Sequence, residues 1–320
     1  MSDQSASLPA RPPSPQPTEA EPVVFPGKED RDSQEHFDAV RRHQREESRR
    51  LWGQCDAGRS ERERELGRLL DQHHRDNAVV VVTLNQGYTD LLLNWVASCD
   101  RHGIEVRSWT LIVALDTTTA ELGESLGFAV YCDETSYGAQ SKEAAQAYGD
   151  VTFTRMMFPK TAVVQDVLNL GYDVLFQDVD LVWKKDPGEV LFHPRRRALD
   201  AQFMYDGPNV LYQPLHVNSG FFFLRNTSAS RTFWNLVCRH FDEVLRLQSQ
   251  QRVVNIVLTT RYVRDLTLDI LDPADFANGH LFSLENPHGL PDDPYVVHCS
   301  WTSNIEHKVK KYRLAGLWYL

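Results

Sequence analysis

The sequence predicts an α/β fold: a mostly parallel sheet with helices on both faces. Three observations predict it. Short runs rich in Val, Leu and Ile alternate with helical segments between residues 78 and 178. Those runs are apolar throughout, as strands covered on both faces are, and do not alternate like half-exposed ones. The polar residues of this half gather at the carboxyl ends of the runs, where an open α/β sheet places its ligands.

The elements are read in chain order. Residues 1–33 hold seven of the sixteen prolines and almost no large apolar side chain before Val23. Such a segment cannot bury enough surface to offset its ordering entropy, so disorder is expected. Residues 34–76 are dense in Arg, Glu, Gln and His, with Phe37, Val40, Leu51, Leu66, Leu69 and Leu70 thinly spaced. This reads as a solvated helical lead-in whose charges carry no function. One domain is expected over 77–320. AVVVVTLN (78–85) is a buried strand, and GYTDLLLNWVASCDRHG (87–103) a helix with a Gly stop. WTLIVALD (109–116) is the second strand. TTTAELGESLG (117–127) is a Thr-capped helix, and FAVYCD (128–133) the third strand. FTRMMFPKTAVVQDVLNLG (153–171) is helical, with Pro159 marking a kink or a new first turn. DVLFQD (173–178) is the fourth strand. Strand and helix alternating in this way imply a parallel sheet. The second half is more mixed. Strands are expected over 200–207, 220–227 and 295–301, one helix over 228–247, a shorter one over 250–260, and a basic amphipathic helix in the tail EHKVKKYRLAGLW.

Bulk properties exclude several functions. The net charge of −10, with the acids scattered, argues against nucleic acid as a partner, because phosphate backbones need a basic face. The five cysteines, at 55, 99, 132, 238 and 299, form no CxxC pair, so a structural zinc is not expected. Free buried thiols are the first reading; one or two disulfides in a secretory lumen are the alternative. No run of eighteen apolar residues is present to span a membrane, and the N-terminus lacks the apolar stretch of a signal peptide. As written, the chain reads as soluble and untargeted.

The strand ends carry Thr83 and Asn85, Asp116, Asp133, and Asp178 with Asp180. On an extended strand residues i and i+2 share a face, so Asp178 and Asp180 can present two carboxylates together while Val179 packs away. Two such carboxylates repel unless a cation removes the cost. Hard oxygen ligands suit Mg²⁺ or Mn²⁺, which complete their shells with substrate phosphates. The bland alternative is a pair of acids ending a strand and capping a turn. Against it, an apolar strand leads into the pair and Leu181-Val182-Trp183 comes directly after, and buried acids need a partner. His298, at the end of a late strand, is the second element; alone it would read as an ordinary core or surface residue. Lys308, ten residues on, could neutralise a leaving phosphate. An imidazole joining two carboxylates favours Mn²⁺ over Mg²⁺.

Together, GYDVLFQDVDLVWKKDP (171–187), VNSGFFFLRNT (217–227), HCSWTSNIEHKVKKYRLAGLW (298–318), TLNQGYTDLLLNW (83–95) and ALDTTTAELGESLGF (114–128) resemble the nucleotide-diphospho-sugar transferase family. That family includes plant pectin xylosyltransferases, extensin arabinosyltransferases and a cytoplasmic protein galactosyltransferase. The resemblance runs from about Asn77 to Leu320, and the order and spacing of the blocks make it specific. It implies a GT-A fold with an acceptor-binding region, a UDP-sugar donor, Mn²⁺, a glycan or protein acceptor, and usually retention of configuration. Asp178 and Asp180 match the metal-binding acids, His298 a third ligand, and Lys308 the lysine at the diphosphate. Thr83 and Asn85 match the first strand's end at the base and ribose. Arg155 and Lys160 match basic positions on the helix before the motif strand, and Asn218, Ser219 and Gly220 the turn facing the donor sugar. Tyr88, Asp116, Val179 and Gln251 complete the expected donor-binding set. The family's compartment is mostly the Golgi lumen, which would need an anchor upstream of this chain.

Two departures from the family pattern stand out. The family's Asp-Gln pair before an Asn is here Gln250-Gln251, with Asn255 four residues later. Where the family often has Gly after the HxxW string, this chain has Asn304, whose side chain would narrow the approach to the diphosphate. Catalysis would rest on positioning and charge stabilisation by the metal, Asp180 and Lys308. An inverting enzyme would need a base as well, and Asp206 is the candidate; its plain alternative is a turn residue. Two rival readings stay open from sequence. A haloacid-dehalogenase-like phosphatase would use Asp178 as nucleophile, although its motif belongs on a first strand. A binding protein that kept the fold and lost activity is the other.

Overall fold

The computed structural model describes residues 30–133, 136–137, 141–145, 151–260, 263, 265–302 and 304–320. The proline-rich stretch 1–29, with its expected disorder, lies outside the described residues. Two compact units divide the chain at Val40/Arg41, and the second, Arg41–Leu320, contains both sheets.

The main sheet has seven strands: β1 (Ala78–Leu84), β2 (Thr110–Ala114), β3 (Ala129–Cys132), β4 (Asp173–Gln177), β6 (Ala201–Tyr205), β7 (Val217–Leu224) and β8 (Leu268–Leu271). Their order is β3-β2-β1-β4-β7-β6-β8, and β7 runs against its two neighbours. The remaining pairings are parallel. A second, three-stranded sheet joins β5 (Leu181–Trp183), β10 (Val296–His298) and β9 (Phe276–Ala277) in that order. The fold is thus α/β with a mostly parallel sheet, as expected.

Strand β1 shows why the early strands are apolar on both sides. Val79 and Val81 point into one core, with Phe158, Val163 and Trp234. Val80 and Val82 point into another, with Trp95, Trp109 and Trp183. The period of two sends alternate valines to opposite layers. The first layer includes α5 (Val151–Asn169), α7 (Ser228–Arg239) and α9 (Gln250–Thr259); the second includes α3 (Thr89–Arg101). Helix α4 (Thr117–Ser125) begins at Asp116, whose carboxylate accepts the Thr119 amide at 2.8 Å.

Several expectations are corrected. One helix is predicted over 228–247, but the chain breaks at His240 between α7 and α8 (Phe241–Leu247). The break accompanies the packing of Phe241 edge-on against Phe158, with ring centres 5.1 Å apart. Pro159 starts no new helix and lies inside a continuous α5. Strands β5, β8 and β9 and the short α6 (Gly188–Leu191) are absent from the sequence reading. They hold two to four residues each, too few to show a period. All five cysteines are free thiols.

The charged stretch 34–76 is also more than a solvated lead-in. It folds as α1 (Asp30–Ala57) and α2 (Arg59–Leu70), and Leu51, Cys55, Leu66 and Leu70 enter the first core. Arg62 is 1 % exposed. Its Nε donates to Asp166 Oδ2 at 2.8 Å, its Nη2 to Asp166 Oδ1 at 3.3 Å, and its Nη1 to the Cys55 carbonyl at 2.7 Å. Burial pushes the Asp166 carboxyl up, and Arg62 works against that shift. Removing one member of such a pair leaves a bare buried charge. Arg62→Met is therefore expected to cost about 3–5 kcal/mol, whereas Arg62→Met with Asp166→Leu recovers most of it. Urea midpoints of the two variants check this; a double variant no more stable than the single one would contradict it.

Candidate active site

The site forms where β4 ends. The Asp178 amide donates to the Gly220 carbonyl at 2.8 Å, which ties the end of β4 to β7. The chain then turns into β5, which pairs antiparallel with β10 so that Leu181 faces His298. That register brings His298 beside Asp180. The turn is pinned again at the Asp180 carbonyl, which accepts the Cys299 amide at 2.9 Å and the Tyr312 hydroxyl at 2.7 Å. Tyr312 lies on α10 (Ile305–Leu314), the helix that also carries Lys308.

Asp178, Asp180 and His298 each offer a ligand atom, and these atoms lie within 4.8 Å of one another. Asp180 is buried; its Oδ2 accepts from Lys308 Nζ at 2.6 Å, and its Oδ1 lies 3.3 Å from His298 Nε2. Asp178 Oδ1 accepts from Lys160 Nζ at 2.8 Å. Burial opposes the charge of Asp180, but Lys308 and His298 outweigh it and hold the carboxyl well below the usual carboxylate range. Burial likewise opposes the Lys308 charge, and Asp180 outweighs it, raising the ammonium above the ordinary lysine value. Two carboxylates thus face two ammonium groups, a balance that an added divalent cation and diphosphate would preserve.

Two features fit this cluster to a metal ion. His298 Nδ1 is buried with no hydrogen-bond partner among the described residues. Gly220 leaves room that no other residue would: a Cβ there would lie 2.4 Å from Asp178 Oδ2 and 2.4 Å from His298 Cε1. The donor set, two carboxylates and an imidazole, is one that a divalent metal ion accepts.

A cleft surrounds the cluster. Thr83, Tyr88, Lys160, Asp178, Val179, Asp180, Asn218, Ser219, Gly220, Gln251, His298 and Lys308 all line it. Asn85, Asp116, Arg155 and Asp206 are not among its lining residues. Each of these four has another place. Asn85 is buried and donates to the Ser141 and Glu143 carbonyls at 2.6 and 2.9 Å, clamping the segment 141–145 that helps wall the cleft. Asp116 caps α4 and accepts the Gln86 amide at 2.7 Å. Arg155 is exposed on α5. Asp206 sits behind the cleft wall, where it accepts from Asn218 Nδ2 at 2.6 Å and from Gln251 Nε2 at 2.7 Å. Burial pushes its carboxyl up, while these amides and His216 oppose the shift. It thereby orients two amides that face the cleft.

In and behind the wall stand other residues whose roles the sequence does not assign. Gln250 donates its Nε2 to Thr161 Oγ1 at 2.8 Å, so its Oε1, buried with no partner among the described residues, is left as an acceptor. Trp301 stands 57 % exposed at the cleft. Asn255, four residues past Gln251, clips the start of β7 by bonding both the amide and carbonyl of Val217. Asn304 is the N-cap of α10, its side chain accepting the His307 amide at 3.0 Å. The Gln250-Gln251 pair is visible in sequence as a departure from the family string. The role of Trp301 has no one-dimensional mark.

A mostly parallel α/β sheet with an acid and imidazole cluster at its strand ends defines a class: α/β proteins with a ligand site at the carboxyl edge of the sheet, equipped to hold a cation. Comparison with known proteins narrows the class. Residues 106–312, which include the whole cluster, match the family described as nucleotide-diphospho-sugar transferase. A β-arabinofuranosyltransferase of Arabidopsis thaliana is 26 % identical over 262 residues, covering 76 % of this chain and 48 % of the relative. A UDP-galactose:fucoside α-3-galactosyltransferase of Dictyostelium discoideum is 25 % identical over 291 residues, 78 % of this chain and 44 % of the relative. The chain thus spans about half the length of these relatives. A crystal structure of mouse xyloside xylosyltransferase 1 aligns over 71 % of this chain and 99 % of its own, at 10 % identity and a TM-score of 0.45. The chain belongs to the nucleotide-diphospho-sugar transferase family. None of the described helices is long and apolar enough to cross a membrane.

Proposed function

We propose that the chain is a glycosyltransferase that moves a sugar from a UDP-sugar to a hydroxyl of an acceptor, with retention of configuration and with a divalent metal, Mn²⁺ before Mg²⁺. The observation that carries the reading is the convergence of Asp178, Asp180 and His298 with Lys308 in one cleft. The two carboxylates and the imidazole would hold the metal. Bound there, it would neutralise charge on the donor's diphosphate as the glycosidic bond breaks. Lys308 places a second cation at the leaving group, and Lys160 a third charge beside Asp178. Thr83, at the end of β1, and Tyr88, in the turn after it, would face the nucleoside; Asn218, Ser219 and Gln251 would face the donor sugar. Retention is favoured because the acids that line the cleft among the described residues are Asp178 and Asp180, both paired with cations. Asp206, the candidate base, lies behind Asn218 and Gln251.

A donor screen tests this. The chain with Mn²⁺ is incubated with a panel of UDP-sugars, and released UDP is recorded beside Asp178→Ala and Asp180→Ala. Release from one donor, lost with EDTA and in both variants, is expected. Hydrolysis of a phosphomonoester that depends on Asp178, with no UDP release, would replace the reading with a phosphatase. The anomeric proton of the product, followed by NMR, decides between retention and inversion.

A further inference from the structure

The strand order sets a sequence of positions along the carboxyl edge of the sheet: β1, β4, β7, β6. Thr83 lies at the end of β1, Asp178 just after β4, and Asn218 to Gly220 at the start of the antiparallel β7. Asp206 comes just after the end of β6. Adjacent strands are about 4.8 Å apart, so Asp206 lies roughly 14 Å across the edge from Thr83. In the donor reading, the nucleoside, the diphosphate and the donor sugar occupy the first three positions. The fourth is where the group that receives the sugar must stand.

Trp301 marks that fourth position. Its indole Nε1 donates to the Asp206 carbonyl at 3.0 Å, which fixes the ring at the end of β6. The His280 ring lies 5.3 Å from it, at an interplanar angle of 53°. The side chain is nevertheless 57 % exposed and lines the cleft. Its backbone φ is +54°, a left-handed conformation that large side chains seldom adopt. A large aromatic surface is therefore held in place by its polar edge and flanked by His280, with more than half of the residue left to solvent. An aromatic face of this kind carries negative charge density and attracts polarised C–H groups. One fixed in advance binds without losing rotamer freedom.

We propose that Trp301 is the stacking platform for the acceptor, and that the acceptor presents a saccharide ring, whose C–H face lies on the indole, rather than a peptide hydroxyl. This rests on the proposed donor reading for the order of the other positions.

Saturation-transfer NMR tests it with the full chain, UDP and Mn²⁺. The probes are methyl glycosides of xylose, galactose, arabinose, fucose and glucose, set against serine, threonine and hydroxyproline peptides. At least one glycoside is expected to receive saturation, strongest on the C–H groups of one ring face. Trp301→Ala should weaken its binding about tenfold, the scale of one aromatic contact, and Trp301→Phe should keep most of it. UDP affinity, measured by calorimetry in each variant, shows that the fold is intact. Equal glycoside binding in Trp301→Ala, no glycoside binding by the parent chain, or binding of peptides alone would each overturn the proposal. Failure of UDP to bind the parent chain would instead strike the donor reading, and the glycoside arm would still decide the role of Trp301.

Discussion

Replacing Asp180 by Asn is expected to lower transfer by about 10²–10³-fold, the scale of removing one preorganised electrostatic group, and to lower stability as well. The two effects share a cause. The carboxylate stands buried between Lys308 at 2.6 Å and His298 at 3.3 Å. An amide keeps the shape and loses the charge, so Lys308 faces a dipole where it had an anion. The stability loss should be roughly 1–3 kcal/mol, the cost of weakening a charge-assisted bond in a buried place. Asp178→Asn should damage transfer similarly and stability less, because the Asp178 side chain is 37 % exposed. Calorimetric binding of Mn²⁺ in the presence of UDP, read beside thermal melting, separates the cases. Normal metal binding by Asp180→Asn would remove Asp180 from the ligand set.

The sign of the pH dependence comes from the same pair. The Asp180 carboxyl is held below its ordinary value in the folded chain. Between the folded and unfolded values the unfolded chain binds more protons, so stability rises with pH there. The contribution is complete above about pH 4, the unperturbed carboxylate value, and is lost as the pH falls below it. The gap in stability between the parent chain and Asp180→Asn should therefore be constant from neutral pH down to about pH 4 and narrow below it. A gap that closes near neutral pH would mean that another group titrates at the site.

The parallel half of the fold is legible in the sequence because each early strand is buried on both faces and must be apolar along its length. Val79 to Val82 satisfy two cores at once, and a sequence can show that directly. The acid pair is legible as far as spacing carries: Asp178 and Asp180 are two residues apart after an apolar strand, although they stand in the bend between β4 and β5 and not on one extended strand. His298 gains its weight from Lys308, ten residues on, and then from the family resemblance; its place beside Asp180 depends on β5, three residues that no periodicity could reveal. Arg62 is hidden for a different reason. In a run as charged as residues 59–68 nothing separates the one arginine that is buried from those that are solvated, since its partner Asp166 is 104 residues away. Asp206 and Asn85 have acidic and amide side chains at strand ends, as ligands would. Only the structure shows that they orient other parts of the wall. A strand end selects polar residues, but it does not say whether they face the ligand or stand behind the groups that do.

Gly220 gives the sharpest separation of site from scaffold. It lies within β7, and its φ is not in the left-handed region, so conformation does not require glycine there. Space does. The Cβ of an alanine would come 2.4 Å from Asp178 Oδ2, 2.4 Å from His298 Cε1 and 3.0 Å from Asn218 Oδ1. Asp178 can swing, being partly exposed, but His298 is 3 % exposed and has little room to retreat. Alanine is otherwise favoured over glycine in a strand by about 0.5–1 kcal/mol, which offsets part of the crowding. Gly220→Ala is therefore expected to keep its melting temperature within a few degrees, and to lose about 10–100-fold in metal affinity and in transfer, as displaced ligand supports do. This is the reverse of the Arg62 case, where stability falls without a change in the cluster. Manganese affinity measured by electron spin resonance, with and without UDP, provides the readout. If Gly220→Ala binds manganese as the parent chain does, Asp178 and His298 need not approach each other across Gly220, and the three-ligand site gives way to one built on the two carboxylates alone.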